Sequence, residues 1–364
     1  MSKLTTALGL MSGTSLDGID VALIKTDGEN IVERGPSMTF TYNDEQRQLL
    51  IDALMDARLI NQRDERPGNL QRRELELTEW HAHAVQHFLS VNPTEVDIIG
   101  FHGQTVIHRP EKKLTVQLGL GQLLAQSLGI SVVYDMRAAD MEAGGQGAPL
   151  VPVFHRALAA GILERPVAFV NIGGVSNITV IDKNGEMLAF DTGPGNALLD
   201  DWAGKHTNIA RDVDGVLAFQ GRADRASVEK FMESPFFTAV PPKSLDRNSF
   251  AGFSIEGLSP ADGAATLVEI TATAIARSTE WLLEKPKSWI ICGGGRHNPA
   301  IMRSLEQKLA GVKAAEDCGF DGDAMEAEAW AYLAVRSLKG LPLTFPTTTK
   351  VREAITGGVL VKAG

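Results

Sequence analysis

The chain has 364 residues, a net charge of −10 and a hydrophobic fraction of 44%. This length predicts two domains, and the composition provides for a sizeable core. Lysine and arginine are dispersed along an acidic chain, which argues against a nucleic-acid partner. The two cysteines offer neither a disulfide framework nor a zinc set, and no apolar run reaches the roughly 20 residues that span a bilayer. We therefore expect a cytoplasmic protein that acts on a small molecule, with no membrane partner.

The first segment with recognisable chemistry, GLMSGTSLDGID, reads as a strand, a bend and a second strand. Gly13, Thr14 and Ser15 can supply backbone and hydroxyl donors to an anion such as phosphate. Asp17 or Asp20 could hold a hydrated Mg²⁺ through water, and an ordinary turn role is an equal alternative for each.

A helical pattern follows between Asn43 and Leu89. His81, His83 and His87 suggest a metal site at first sight, but no acidic third ligand lies near them. We interpret them as solvated histidines on a helix face.

From Val96 onward, short apolar strands alternate with helices, which is typical of an α/β layer. Polar side chains gather just after the strands, namely His102, Gln104, Arg137, Asp140 and Gln146. Such a group suits a hydroxylated ligand, including an anionic one, and Arg137 could grip a carboxylate through two parallel hydrogen bonds. For any single residue, ordinary loop packing is the alternative.

The stretch AFVNIGGVSNITVIDKNGEMLAFDTGPGNALLDD contains three strands and two glycine-rich bends, the second of which opens a helix. We expect Gly173 and Gly174 to take positive φ angles and leave N–H groups free for an anion, with Ser176 as a further donor. Asp191 ends a strand beside the second bend, where an α/β enzyme would keep a general base. The alternative is a pair of ordinary glycine turns with Asp191 as an N-cap.

The first bend of this stretch weakly repeats the amino-terminal one, since Gly174-Val175-Ser176 matches Gly13-Thr14-Ser15. Two such hairpins in two halves of a chain are what a nucleotide site in paired domains needs.

Two later segments carry further candidate residues. The glycine triplet Gly293–Gly295 follows a buried strand in SWIICGGGRHNP and suits the adenine and ribose of a nucleotide, with a tight strand-to-helix turn as the alternative. In the final helix, Glu326 and Glu328 lie too close along the chain to share a face, so we expect one of them to face the site.

Taken together and in this order, GLMSGTSLDGID, GFHGQTVIHRP, DMRAADMEAGGQGAPLVP, NIGGVSNIT, FDTGPGN, ICGGGRHNP and MEAEAWAYLA resemble the bacterial anhydro-N-acetylmuramic acid kinases over nearly the whole chain. The resemblance implies the duplicated two-domain α/β fold of the sugar kinase, Hsp70 and actin superfamily, with the active site in the interdomain cleft. We assign residues 1–160 to the first domain and 161–344 to the second, and expect 345–364 to pack back on the first.

The resemblance also implies a reaction and its residues. The family opens the internal ether of an anhydrosugar with water and phosphorylates the freed oxygen from ATP with Mg²⁺, in cell-wall recycling. Asp191 would be the base. The implied ATP contacts are Gly13, Thr14, Ser15, Leu16, Asp17, Gly18, Ile19, Asp20, Gly173, Gly174, Gly293, Gly294 and Gly295. The implied sugar contacts are His102, Gln104, Arg137, Asp140, Gln146 and Glu326, and Asp17 and Asp20 are the candidate metal residues.

Two segments depart from the family pattern. PPKSLDRNSF lacks the usual Thr-Gly pair after PPKS, and FPTTTKVREAITGG lacks the usual Thr-Gly after its proline. Both departures concern lid and packing segments more than chemistry. The alternatives to the implied function are a kinase of another anhydrosugar, an actin- or Hsp70-like ATP-switched binding module, and a plain ATPase. The oligomeric state is open, with a homodimer as one alternative.

Overall fold

The computed structural model describes residues 3–13, 15–245, 249–250 and 252–364. Its strands are β1 (Thr5–Ser12), β2 (Gly18–Thr26), β3 (Val32–Thr41), β4 (Ile98–Arg109), β5 (Leu114–Leu118), β6 (Val132–Tyr134), β7 (Val167–Ile172), β8 (Val175–Ile181), β9 (Met187–Pro194), β10 (Ser288–Cys292), β11 (Val312–Ala314) and β12 (Val359–Val361). Its α-helices are α1 (Asp44–Ala57), α2 (Leu70–Val91), α3 (Gly121–Leu128), α4 (Ala138–Glu142), α5 (Pro152–Ala159), α6 (Ala197–Thr207), α7 (Val216–Phe219), α8 (Arg225–Met232), α9 (Pro260–Arg277), α10 (Pro299–Lys308), α11 (Met325–Leu338) and α12 (Pro346–Thr349). Within these ranges, no helix is long and apolar enough to cross a membrane.

The chain forms two compact units, Met1–Ala160 with Ala324–Gly364, and Gly161–Asp323. The sequence analysis placed residues 324–344 in the second domain, but the structure places them in the first unit. The reason is α11, which packs on β1, β2 and β4 of the first sheet.

The sheet of the first unit has the order β3-β2-β1-β4-β6-β12, with β5 paired to β4. Strands β1, β2 and β3 are antiparallel, whereas β1, β4 and β6 run parallel. Side chains alternate across a strand, so Leu8 and Leu10 enter the core that α1, α2 and α3 help to form. The intervening residue, Gly9, faces α11 on the other side of the sheet.

The sheet of the second unit has the order β9-β8-β7-β10-β11. Strands β7, β8 and β9 are antiparallel, and β7, β10 and β11 run parallel. The core includes Trp289 of β10, Ile270 of α9 and Ile301 of α10.

The two sheets therefore share one strand order: three antiparallel strands followed by two parallel strands on the other side of the first. This shared order confirms the duplicated α/β architecture. It also explains the weak sequence repeat, because β1–β2 and β7–β8 are equivalent hairpins in the two units.

The histidines of α2 do not all lie on its exposed face. His81 is fully buried, with Nδ1 2.8 Å from Leu77 O and its ring against Phe101. Our interpretation of this residue as solvated was wrong, while His83 and His87 are exposed as expected. Burial lowers the pKa of His81 to about 4, so the ring is a neutral part of the core near pH 7.

Helix α11 approaches the sheet closely because glycines lie beneath it. A Cβ added at Gly9 would overlap the carbonyl of Ala327, and one at Gly100 would overlap the carbonyl of Trp330. These obstacles are backbone atoms, so they cannot move aside without moving the helix. The contact thus fixes α11, and with it Trp330, over β1 and β4.

We expect Gly9→Ala and Gly100→Ala each to lower the free energy of unfolding by about 1–3 kcal/mol, because overpacking forces the helix away from the sheet. Urea unfolding followed by circular dichroism measures the change. Gly161→Ala is the matched control, since a Cβ at Gly161 has no neighbour within 4 Å. Equal stability of all three variants would contradict the close packing.

Candidate active site

Two glycine-rich bends of the second unit lie against each other at one end of the sheet. Gly173–Gly174 joins β7 to β8, and the second bend follows β9. The N–H of Asn196 donates to Gly173 O at 2.7 Å, and the N–H of Gly195 donates to Gly174 O at 3.0 Å. Because α6 begins directly after Asn196, these hydrogen bonds hold the start of that helix against the first bend.

The glycine triplet after β10 lies at the same end of the sheet. A Cβ added at Gly294 would be 3.6 Å from Asn196 Nδ2, and Gly293 has a φ of 74°, in the left-handed region. Arg296 closes the triplet, since its Nη1 donates to Gly293 O at 3.0 Å and to Asp323 at 2.8 Å. The structure therefore brings together two of the three segments to which nucleotide contacts were assigned, both of them in the second unit.

Only some of these glycines are required by packing. A Cβ at Gly195 would overlap Gly173 O, and one at Gly295 would overlap the side chain of Ile172, the last residue of β7. A Cβ at Gly173, Gly174 or Gly294 would meet no atom closer than 3.6 Å. The space beside these three residues is open, so a ligand can approach the bare backbone there.

Three expectations about the first of these bends were wrong. Neither Gly173 nor Gly174 has a positive φ. The N–H of Gly173 donates to Val175 O at 3.2 Å, so it is not free for an anion. The hydroxyl of Ser176 is buried and lies 2.6 Å from the hydroxyl of Thr192, where it joins β8 to β9 and is not a donor to ligand.

Asp191 lies in β9, opposite Asn177 of β8, and is partly exposed. Its N–H donates to Lys243 O at 2.8 Å, and its Oδ2 accepts from the N–H of Leu245 at 2.7 Å. Burial raises the pKa of the carboxyl to about 7, and the hydrogen bond from Leu245 opposes that rise. Asp191 is within a strand, so the N-cap alternative is wrong. A carboxyl that titrates near neutral pH is well matched to accepting a proton.

The bend of the first unit separates β1 from β2. Leu16 has a φ of 55° and its N–H donates to Gly13 O at 3.2 Å. A left-handed leucine costs roughly 1–2 kcal/mol, so the surrounding fold holds this bend in a strained shape. Thr14 lies outside the described residues, and Gly18 and Ile19 are the first residues of β2.

The carboxylates beside this bend have protein partners. The hydroxyl of Ser15 donates to Asp17 at 2.8 Å, and the hydroxyl of Thr39 donates to Asp20 at 2.6 Å. Across the described ranges, no group of three or more His, Cys, Asp or Glu side chains is placed to hold a metal ion. The oxygen chemistry of Asp17 and Asp20 suits a hydrated Mg²⁺ contacted through water, and not a dedicated protein cage.

Two of the predicted sugar-side residues, Arg137 and His102, form a cluster with Trp330. The guanidinium of Arg137 lies 5.1 Å from the Trp330 ring centroid, and the His102 ring lies 4.4 Å from it. Nη2 of Arg137 is 3.1 Å from His102 Nε2, and Nη1 donates to Gly147 O at 2.8 Å. Burial and the neighbouring Arg137 hold the pKa of His102 well below its usual range, so a neutral imidazole accepts from the guanidinium.

Asp140 organises the loop beside this cluster. Its carboxylate is buried and accepts from the N–H of Gly147 at 2.6 Å and from the hydroxyl of Thr349 at 2.6 Å. The N–H of Gln146 donates to Thr349 O at 2.8 Å. We expected Asp140 to contact the sugar directly, but these bonds make it a tie between the loop and the carboxy-terminal segment.

The remaining two predicted residues are Gln104 and Glu326. Gln104 is fully buried, and its Nε2 donates to Gly13 O at 3.1 Å, which ties β4 to the first bend. Glu326 is partly buried. Burial lowers the pKa of Arg137 to about 10, and the negative charge of Glu326 acts in the opposite direction by raising that pKa. Glu326 is thus the carboxylate of α11 that lies near the cluster, while Glu328 is buried elsewhere, 4.0 Å from Arg34.

A cavity of about 230 Å³ lies next to this cluster, within the first unit. Its wall includes His102, Gln117 and Tyr134, together with Arg63 and its partner Asp135 at 2.6 Å. The wall mixes apolar surface with polar groups and carries charge of both signs, so it can contact both the hydroxyl groups and the carbon skeleton of a ligand.

The sequence analysis missed four residues of these sites. Trp330 follows Glu326 by four residues, and this helical spacing was a signal that both share a face. Thr349 lies in the carboxy-terminal segment that departs from the family pattern. Lys243 and Leu245 had no signal, because they contact Asp191 through backbone atoms. The nearby residues 246–248 of PPKSLDRNSF lie outside the described ranges.

The chain matches a family model, anhydro-N-acetylmuramic acid kinase, over residues 5–363. The chain belongs to this family. The anhydro-N-acetylmuramic acid kinase of Agrobacterium fabrum is 53% identical over all of both chains. That of Bradyrhizobium diazoefficiens is 53% identical over 98% of this chain and 99% of the relative. Membership of the family makes the chain an ATP-dependent kinase, and the names of these two relatives favour neither a binding module nor a plain ATPase.

Solved structures resemble the chain more distantly. A ROK family glucokinase from Streptomyces griseus, in complex with glucose and AMPPNP, is 12% identical with a TM-score of 0.40, over 91% of this chain and 99% of that one. Component A of (R)-2-hydroxyglutaryl-CoA dehydratase from Acidaminococcus fermentans is 13% identical with a TM-score of 0.48, over 92% and 99%. The assignment to the anhydro-N-acetylmuramic acid kinase family rests on the sequence relatives.

We expect Thr349→Val to lower the stability of this kinase by about 1–3 kcal/mol, because it removes a hydrogen bond from a buried carboxylate. Urea unfolding measures the loss. Thr347→Val is the matched control, since Thr347 is exposed in the same short helix. If both variants unfold at the same urea concentration, Asp140 does not depend on Thr349.

Proposed function

We propose that the chain carries out its family's reaction with Asp191 as the general base. The substrate is 1,6-anhydro-N-acetylmuramic acid, and the product is N-acetylmuramic acid 6-phosphate, formed with consumption of water and ATP. The reaction belongs to peptidoglycan recycling. The observation that carries the base assignment is the environment of Asp191, a partly buried carboxyl in β9 whose pKa is raised to about 7, a few residues before a glycine-rich bend.

The chemistry requires a base because water is a weak nucleophile. Asp191 takes a proton from water as the water oxygen attacks the anomeric carbon. The bond from that carbon to the oxygen at position six breaks, and the freed oxygen attacks the γ-phosphorus of ATP, releasing ADP. General-base assistance of this kind is worth about 10²–10⁴-fold in rate. A carboxylate with a raised pKa is a stronger base than an ordinary aspartate, which suits this step.

Arg137 is the residue we assign to the lactyl carboxylate of the sugar. Three of its five N–H groups are directed at His102 and at Gly147 O, which leaves two for a ligand. His102 and Trp330 fix the plane of the guanidinium, so the remaining donors are held in a fixed orientation. An anhydrosugar without the lactyl group would leave these donors without their charged partner.

The nucleotide contacts are assigned to the glycine segments. Gly173, Gly174 and Gly294 leave open space beside the backbone, and the Gly13 bend provides an equivalent position in the first unit. Asp17 and Asp20 would hold Mg²⁺ through its water shell. When bound, Mg²⁺ neutralises charge on the phosphate oxygens.

The reaction predicts where oxygen goes. With ATP, Mg²⁺ and anhydro-N-acetylmuramic acid in ¹⁸O-labelled water, we expect each product molecule to gain one phosphate and one labelled oxygen at the anomeric carbon, as read by mass spectrometry. Asp191→Asn should lower this turnover by 10²-fold or more and still bind ATP. The exposed Asp214 gives a matched control, and Asp214→Asn should behave as the wild type. Phosphorylation without label would mean that Asp191 deprotonates a sugar hydroxyl.

The raised pKa of Asp191 predicts the pH dependence of the rate. The base must be ionised, so kcat/KM should be constant above about pH 7 and fall about tenfold per pH unit below it. A pH profile between 5 and 8.5, at saturating ATP, measures this limb. A rate that stays constant down to pH 5 would show that Asp191 keeps an ordinary acidity or is not the base.

A further inference from the structure

The second unit buries a lysine next to Asp191. Lys243 is only 7% exposed, although lysine is among the residues least often buried. Its Nζ donates to Phe236 O at 2.9 Å and lies 4.5 Å from the Phe236 ring centroid and 5.4 Å from that of Trp281. The ammonium is therefore held by one carbonyl and two aromatic faces, which attract cations.

The backbone of the same segment contacts Asp191 at two points. The carbonyl of Lys243 accepts from the N–H of Asp191 at 2.8 Å, and two residues later the N–H of Leu245 donates to the Asp191 carboxylate at 2.7 Å. The ring of Phe190, the residue before Asp191, lies 6.0 Å from Lys243 Nζ. The segment 243–245 thus borders Asp191 along both its main chain and its side chain.

The charged groups that act on Lys243 come from the end of α9 and the turn after it. Arg277 repels the ammonium and Glu280 attracts it, but Arg277 and Glu280 also pair with each other at 3.2 Å. Burial is the main reason that the pKa of Lys243 falls to about 8. Most of the protein therefore carries the ammonium form at pH 7, and the aromatic cage has a cation to bind.

We propose that Lys243 is a positioning residue for Asp191: its caged ammonium anchors the segment whose backbone places the Leu245 N–H on the base. The proposal rests on the proposed role of Asp191 and extends it. Lys243 itself need not touch the sugar or ATP. Its side chain points into the aromatic cage, and its effect on the reaction passes through the backbone of residues 243–245.

Lys243→Met keeps the length and the apolar stem of the side chain but removes the charge. We expect the peptide carrying Leu245 to exchange its amide hydrogens faster, measured by mass spectrometry. We expect kcat to fall about tenfold. Because the Leu245 hydrogen bond lowers the pKa of Asp191, its loss should also move the acid limb of kcat/KM up by about one pH unit. Lys243→Arg, which keeps a cation that aromatic faces bind, should restore part of kcat and of the limb.

Lys230→Met is the matched control, because Lys230 is an exposed lysine on α8 of the same unit. It should leave kcat, exchange and the acid limb at wild-type values. If Lys243→Met does not fold, Trp281→Leu tests the same anchor with the ammonium retained, and should move the limb in the same direction. An unshifted acid limb in the folded variant, even with reduced stability, would overturn the positioning role.

The two proposals fail in different ways. If Asp191→Asn stays active, the base assignment is wrong and the positioning role is overturned with it. A different result is that Asp191→Asn is inactive and the wild type shows the acid limb of kcat/KM. If Lys243→Met then shows this limb at the same pH as the wild type, only the role of Lys243 is overturned.

Discussion

The carboxyl of Asp191 is partly buried, and the chemistry assigned to this kinase depends on that burial. A solvated aspartate is stable as the carboxylate and binds a proton only weakly at neutral pH. Desolvation raises the free energy of the charged carboxylate, so a buried aspartate accepts a proton more readily. The same desolvation lowers the free energy of unfolding. Because the pKa of Asp191 is higher in the folded state than the 3.8 of a free side chain, ionisation above about pH 7 destabilises the fold, and the cost disappears only below about pH 4. The site therefore holds a destabilised group that the rest of the second unit must stabilise.

That stabilisation is provided mainly by backbone. Asp191 is fixed by the ladder to β8 on one side and by residues 243–245 on the other. A backbone N–H can bond the carboxylate without adding a charge that would return its pKa to the acidic range. In the first unit, side chains and not backbone groups surround the charged residue. The guanidinium of Arg137 lies beside Trp330 and the neutral ring of His102, and the negative charge of Glu326 acts on it. One strand order, repeated in the two sheets, thus carries two kinds of site.

Much of this arrangement was predictable from the sequence, because alternating strands and helices with glycine-rich bends report local geometry directly. The weak repeat of the two hairpins, the position of Asp191 in a strand before the second bend, and the grouping of Arg137 with His102 followed from such patterns. The duplicated fold itself was implied by the family resemblance. Side-chain bonds inside hairpins did not. Ser176 follows a glycine bend just as a phosphate donor would, but the pairing of β8 with β9 buries its hydroxyl. The roles of Lys243 and Thr349 were not predictable, because Asp191 lies 52 residues from Lys243 and Asp140 lies 209 residues from Thr349, and no local pattern encodes such contacts.

The packing of α11 shows the same limit. Its register over β1 and β4 depends on Gly9 and Gly100, which read in the sequence as two unremarkable strand residues. The helix was therefore assigned to the second domain, with which it is contiguous in the chain, and not to the first sheet, on which it packs. Short-range patterns identify elements well, but which sheet receives a helix depends on contacts between distant segments.

Two groups of glycines in this chain are required for different reasons if the proposed function is correct: one group is needed for folding and the other for ligand binding. At Gly9, Gly100 and Gly195 a methyl group would overlap backbone, so stability alone disfavours a replacement. At Gly174 and Gly294 the fold has room for an alanine, and only a molecule lying against the backbone would exclude it. Selection for folding and selection for growth on recycled cell wall would therefore tolerate different glycine replacements. The difference between the two tolerance patterns would show which glycines a bound ligand lies against, without any crystal of the complex.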